Sequence, residues 1–284
     1  MDPRDMVAIV DGEVTTVGNV SVEVVDPGFH RGDGVFEVFQ LYGDTPFALD
    51  EHLERLDRGA RRLMIDYDVD ALARECAEIP QLCAPDMAIR VIVTRFGRRI
   101  VYEEPNGPFP ERFGLLAIEH RVSPLMSGIK SLSYGANILA HRLAQQSGHD
   151  TALFVDADTA QVMEAPFMTF VWTVDGQLFT PPISAGILDG ITRRALLEAG
   201  LCHERECQLA DIDACDGAAL LGSGFELRLV SNISGLVSRT FTDDPCLVEA
   251  AEALHRRILQ RTQSNQKGIG NDAGCSVSAD HIAR

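Results

Sequence analysis

Lysine is almost missing from this sequence: Lys130 and Lys267 are its only two, while arginine is used throughout. Positive charge as a whole is scarce, with 25 Lys and Arg against 42 Asp and Glu, for a formal net charge of −17. A field of that sign repels nucleic acid and anionic membrane surfaces, so neither is an expected partner, although a local group of arginines can still hold an anionic ligand. No apolar run approaches the roughly 18 residues a membrane span needs. The N-terminal stretch MDPRDMVAIVDG has acids where a signal peptide has basic residues, so the expected location is the cytoplasm. CxxC pairs are absent. The seven cysteines (Cys76, Cys83, Cys202, Cys207, Cys215, Cys246, Cys275) form an odd set that fits reduced thiols better than a disulfide framework. Cys202, His203 and Cys207 lack a second ligand pair, so no metal is expected.

What is present describes an ordinary globular chain, long enough at 284 residues for one large or two modest domains. VAIVDGEVTT reads as a hairpin around Asp11-Gly12, and VFEVFQLYGDTPFALD as a second hairpin turning at Gly43-Asp44. Asp50 is the expected N-cap of a helix with Leu53, Leu56, Ala60 and Met64 on its inner face, and a weaker helix covers DVDALARECAEI. MAIRVIVTRF and RFGLLAIEH read as strands, and RVSPLMSG, 121–128, as the connection between a domain over 1–120 and one over 130–262. The second half predicts a helix over about 135–147, strands at ALFVD, AQVME, FMTFVWTV and QLFT, a helix opening at GITRRALLEAG, AALLGSG before ELRLVSNISG, and a closing amphipathic helix. Residues 263–284 are polar and aperiodic and read as a disordered tail.

A few residues could do chemistry. Lys130, in GIKSLSYGANILA, has an apolar flank and small neighbours. Desolvation there would lower its pKa and make it a nucleophile toward a carbonyl, unless it merely snorkels from a strand end. Gly190-Ile191-Thr192 opens a helix with free N–H groups and a hydroxyl, either an anion site or a simple turn and cap. Ser223 in LGSGFEL could add a second hydroxyl, or the segment is a glycine turn. Arg55, on the polar flank of its helix, could reach a phosphate or remain solvated. Glu164, at a strand end before Ala165-Pro166, could bond a cationic ring nitrogen or sit on a rim. An amine, a carboxylate and a phosphate nest together are what pyridoxal phosphate requires.

With these parts in view, the sequence resembles the fold type IV pyridoxal-phosphate enzymes, the class IV aminotransferase family, over roughly residues 8–260. VVDPGFHRGDGVFEVFQLYGDTPFALDEHLERL, IKSLSYGANILA, VMEAP, DGQLFTPPISAGILDGITR and LLGSGFEL follow in the family's order. The resemblance implies an α/β (α+β) two-domain fold, a small N-terminal α/β domain and a larger one with a pseudo-barrel, and pyridoxal 5'-phosphate as cofactor. It implies Lys130 as Schiff-base lysine and catalytic residue, Glu164 at the pyridine nitrogen, and Arg55, Ile191, Thr192 and Ser223 around the phosphate. A homodimer whose partner completes the pocket is also implied.

The departures are informative. Thr169 replaces a frequent Asn, Ala165-Pro166-Phe167-Met168 replaces a more polar run, and Asp189 replaces a frequent Pro. Arg31 stands where an uncharged side chain is usual, and Arg98 and Arg99 where some members bind carboxylate; all three either bind substrate or form surface ion pairs. The expected reaction is amino transfer between a D-amino or branched-chain amino acid and a 2-oxo acid. The alternatives are an aminodeoxychorismate lyase releasing pyruvate and 4-aminobenzoate, and a catalytically silent relative that binds another phosphorylated ligand.

Overall fold

The computed structural model describes residues 2–272, with side chains described to residue 264. Strands β1 (Val7–Val10), β2 (Glu13–Thr16), β3 (Gly34–Tyr42), β4 (Thr45–Pro46), β5 (Ala88–Thr94) and β6 (Arg99–Glu104) form a sheet in the order β2-β1-β6-β5-β3-β4. Both expected hairpins are present: β1 pairs with β2 around Asp11-Gly12, and β3 with β4 around Gly43-Asp44. Asp11 and Gly12 both take positive φ, 51° and 90°, as a two-residue turn matched to the strand twist requires.

Helices α1 (Pro27–Arg31), α2 (Leu49–Arg62) and α3 (Val69–Glu78) belong to the same half. Alternation along the strands puts Val35, Phe39, Ile89, Val91, Val93 and Val101 on one face, where Leu56 and Ala60 of α2 and Leu72 and Cys76 of α3 close a core. The start of α2 differs from expectation. Ala48, in the left-handed conformation, is the N-cap, and Asp50 lies in the first turn beside the positive helix end. The inner stripe is His52, Arg55, Leu56, Gly59 and Ala60, while Met64 falls beyond the helix and is exposed. Arg55 is therefore buried, not on a polar flank.

Strands β7 (Phe113–His120), β8 (Thr151–Asp156), β9 (Thr169–Val174), β10 (Gln177–Thr180), β11 (His203–Glu204), β12 (Gly217–Gly222) and β13 (Glu226–Gly235) make a second sheet in the order β11-β10-β9-β12-β13-β7-β8, and β14 (Arg239–Thr240) pairs with β13. Trp172, Phe170, Leu220 and Leu153 fill one core. On the other side α5 (Ile191–Glu198) and α6 (Pro245–Asp272) cover Val171, Ala219 and Leu221, while α4 (Gly135–Gln146) packs near β8 through Ala140 and Ala144. AQVME forms only single bridges, Val155 to Val162 and Gln161 to Gln208, in place of the expected strand, although Phe154 N–H still donates to Glu164 O at 2.9 Å. α6 continues through 263–272, which the sequence reads as tail; the rest of that expectation lies outside the described residues.

The chain crosses between the sheets three times: out to β7, back to β3 after residues 121–128, and out again toward β8. β7 lies before residue 120 yet sits inside the second sheet, so the sheets do not divide there. After 121–128 the chain returns to β3, where Phe36 N–H donates to Lys130 O and Leu132 N–H to Gly34 O, each at 2.9 Å. A Cβ on Gly34 would meet Leu132 Cδ1 at 2.5 Å and Val93 O at 2.7 Å, so only glycine admits this close strand addition. Gly34→Ala is expected to destabilise the protein by about 1–3 kcal/mol through overpacking, read as a lower denaturation midpoint; an unchanged midpoint would show that the added segment yields without cost.

Candidate active site

Adding 129–132 to β3 sets Lys130 at the seam between the sheets, facing a cavity of ≈ 910 Å³. Glu164, Arg55, Thr192 and Ser223 line the same cavity. Lys130 Nζ lies 4.5 Å from the centroid of the Phe36 ring and 5.7 Å from that of Tyr134, and no described carboxylate pairs with it. Burial, more than any other influence, lowers its pKa to about 8; Arg55 and Arg90 push the same way, against the pull of Glu37 and Glu164. It is a poised amine.

Glu164 is held opposite in sense. Burial raises its carboxyl to about 7, while the Leu188 N–H, 3.2 Å from both carboxylate oxygens, and the Lys130 amine act in the other direction. A cationic N–H placed before it would stabilise the carboxylate form. Asn137 Nδ2 donates to Pro166 O at 2.7 Å, which ties α4 to the turn after Glu164.

Arg55 reaches the cavity from behind. Its Nε donates to Glu37 Oε1 at 2.6 Å, one terminal nitrogen to Glu37 Oε2 at 2.7 Å, and the other to Asp189 O at 2.7 Å. A guanidinium has five N–H donors, so part of the fork remains for a ligand. Glu37 is fully buried. Burial by itself would raise its carboxyl, but Arg55 and His52 hold it below the usual carboxylate range. Burial lowers the His52 pKa against the pull of Glu37, and the ring donates from Nδ1 to Glu37 Oε2 at 2.9 Å.

The Asp189 carbonyl lies immediately before α5. Gly190 caps that helix, leaving the N–H groups of Ile191 and Thr192 without helical partners beside the Thr192 hydroxyl. The Asp189 carboxylate pairs with Arg194 at 2.6 Å and Arg58 at 3.3 Å, so it is turned toward cations instead of the nest. Ser223 comes from the turn between β12 and β13.

Three expected residues are elsewhere. Arg31 ends α1 and is exposed, away from the cavity lining. Arg99 forks onto Glu75, with Nε and one terminal nitrogen 3.0 and 2.9 Å from Oε1, and Arg98 lies 3.6 Å from Asp11. Neither lines the cavity, because their turn faces α3 and the β1–β2 turn, whose acids take up their charge. Arg90, which was not expected there, does line it beside Arg55 and Arg193, and is paired with Glu104 at 2.9 and 3.0 Å. Sequence reasoning passed over Arg90, though a lone charge between Ile89 and Val91 on an alternating strand marks the face opposite the core. Glu37, charged on the buried face of β3, was readable in the same way.

The description "Amino-transferase class IV" belongs to a family whose pattern matches residues 34–233. The chain belongs to that family. Fold type IV pyridoxal-phosphate enzymes share its architecture. It is 27% identical over 290 residues to a bifunctional aminodeoxychorismate lyase / D-amino acid transaminase of Mycobacterium tuberculosis, covering 89% of this chain and 99% of that protein. It is 25% identical to a D-alanine aminotransferase of Bacillus licheniformis, covering 90% and 99%. The PLP-bound form of a protein named a hypothetical aminotransferase from Mycobacterium tuberculosis superposes with a TM-score of 0.81 at 25% identity, over 90% of this chain and 99% of that one. The donor set here fits that cofactor: a low-pKa amine, an opposing carboxylate, and N–H, hydroxyl and guanidinium donors for a phosphate.

The poised amine has a direct signature. In cofactor-free protein, labelling of Lys130 by an amine-reactive reagent should rise through about pH 8, since the neutral amine is the reactive form. A midpoint at the ordinary lysine value of 10.5 would contradict the buried setting.

Proposed function

We propose that the enzyme moves an amino group between a D-amino or branched-chain amino acid and a 2-oxo acid, with Lys130 as the catalytic residue. The observation that supports this most is the single cavity on which the Lys130 amine, the Glu164 carboxylate and the Ile191–Thr192 nest converge. When bound, pyridoxal phosphate supplies an electrophilic carbon for the substrate nitrogen and a cationic ring that takes up electrons left by α-proton removal. Lys130 Nζ is the base that takes the α-proton and returns it, a role suited to an amine with a pKa of about 8. Glu164 would keep a proton on the ring nitrogen of that group. Thr192, Ser223, the Ile191 and Thr192 N–H groups and the free part of Arg55 would hold its phosphate.

Homodimerisation and a cytoplasmic location belong to the same reading. Val24, Val25 and Phe29, exposed apolar residues close to Arg31 in sequence, support the first, and the free cysteines among the described residues support the second. A second reading, aminodeoxychorismate lysis, is favoured by the bifunctional relative, whose name joins that activity to D-amino acid transamination.

Lys130→Ala should lower turnover by at least about 10²–10⁴-fold, because the general base is lost. It should also remove the cofactor absorbance that borohydride bleaches in the parent protein. Retention of both would end the assignment. Amino transfer from D-alanine or a branched-chain amino acid to 2-oxoglutarate supports the first reading, and 4-aminobenzoate formed from aminodeoxychorismate without amino transfer supports the second.

A further inference from the structure

The cavity has a cation on its wall that arrives with its own counter-ion. Arg90 lies opposite Tyr102 in the β5–β6 register, and Glu104 two residues further along β6 opposes Ala88. Long side chains bridge that diagonal, so the guanidinium and carboxylate close on one another through two hydrogen bonds. Both remain partly open to the cavity, at 26% and 31% side-chain exposure. The Arg90 guanidinium carbon lies 5.2 Å from the centroid of the Phe36 ring, the same ring that Lys130 Nζ approaches to 4.5 Å. Both side chains line the one cavity, so a group recognised by Arg90 belongs to a molecule bound there beside Lys130.

We propose that Glu104 is a specificity-determining residue, whose carboxylate competes with the side-chain carboxylate of dicarboxylic amino and oxo acids for Arg90. This rests on the aminotransferase reading. A receptor for the α-carboxylate is needed at every turnover, and a permanent internal competitor would obstruct it. A receptor that only discriminates between side chains is served by one. With the pair closed, the wall presents balanced charge and tolerates an apolar side chain. A second carboxylate must open a partly exposed ion pair, which is weak, and is then left beside an unpaired glutamate, which repels it.

The test uses holoenzyme and two unreactive ligands of equal chain length, glutarate and valerate, titrated calorimetrically. Glu104→Gln should strengthen glutarate binding by about tenfold relative to valerate, the scale of one charge-assisted contact. The ratio of kcat/KM for 2-oxoglutarate over 2-oxopentanoate should shift in the same direction. Adding Arg90→Gln should return the glutarate affinity toward the parent value, which distinguishes the pair's action from a general loosening. Equal gains for glutarate and valerate would overturn the proposal by making Arg90 the receptor of the carboxylate common to all substrates. Unaltered affinities for both would overturn it as well. Absence of amino transfer from every donor would count against the proposed reaction, while the calorimetry still decides the role of Glu104.

Discussion

Glu37 is buried on β3, and its carboxylate is shared between the Arg55 guanidinium and the His52 ring of α2. A carboxylate at this depth is costly unless it is paired and hydrogen-bonded, so α2 is constrained to present both partners at one height against the sheet. Once Arg55 is fixed, its remaining terminal nitrogen fixes the Asp189 carbonyl, which belongs to the other half of the molecule and leads into α5. The N-terminus of α5, with its free N–H groups, is thus set relative to β3 through one guanidinium. β3 also receives the segment carrying Lys130. The amine and the anion nest are positioned from a common reference, which is why residues distant in sequence reach one cavity.

The cavity's electrostatics follow from this arrangement. Burial works on Lys130 and Glu164 in opposite directions, bringing an amine down to about 8 and a carboxyl up to about 7, so both groups exchange protons near neutrality. The nearby arginines are not free charges: Arg55 is matched by Glu37, Arg90 by Glu104, and Arg193 by Glu204 with help from Pro181 O. Pairing keeps the lining close to balanced, so the field felt by a ligand is local.

Much of this was legible in the residues. The two hairpins were, because Asp-Gly and Gly-Asp dipeptides between apolar strands leave few other options. So was the joint appearance of Lys130, Glu164, Thr192 and Ser223 on one cavity, carried by ordered motifs. The phase of α2 was not, since Leu53 and His52 each offer an inward stripe, and only the buried acid on β3 selects the second. Arg98 and Arg99, expected to face a substrate carboxylate, lie outside the cavity lining for a similar reason. Arg98 and Arg99 are adjacent to a strand in sequence, but tertiary neighbours Asp11 and Glu75 claim them, whereas Arg90 is on the face that pairing with β3 and β6 turns toward the cavity. The division into halves was obscured because β7 joins the second sheet before the connecting segment begins.

The dependence of both halves on the Glu37–Arg55 pair is the claim most open to direct measurement. Glu37→Gln leaves a buried guanidinium without its counter-charge, a change that costs about 3–5 kcal/mol. The account predicts that the folded variant binds pyridoxal phosphate at least about tenfold more weakly than the parent, because the α5 nest loses its anchor. Parent-like stability together with parent-like cofactor affinity would show that the nest and the amine are set by something other than this interaction.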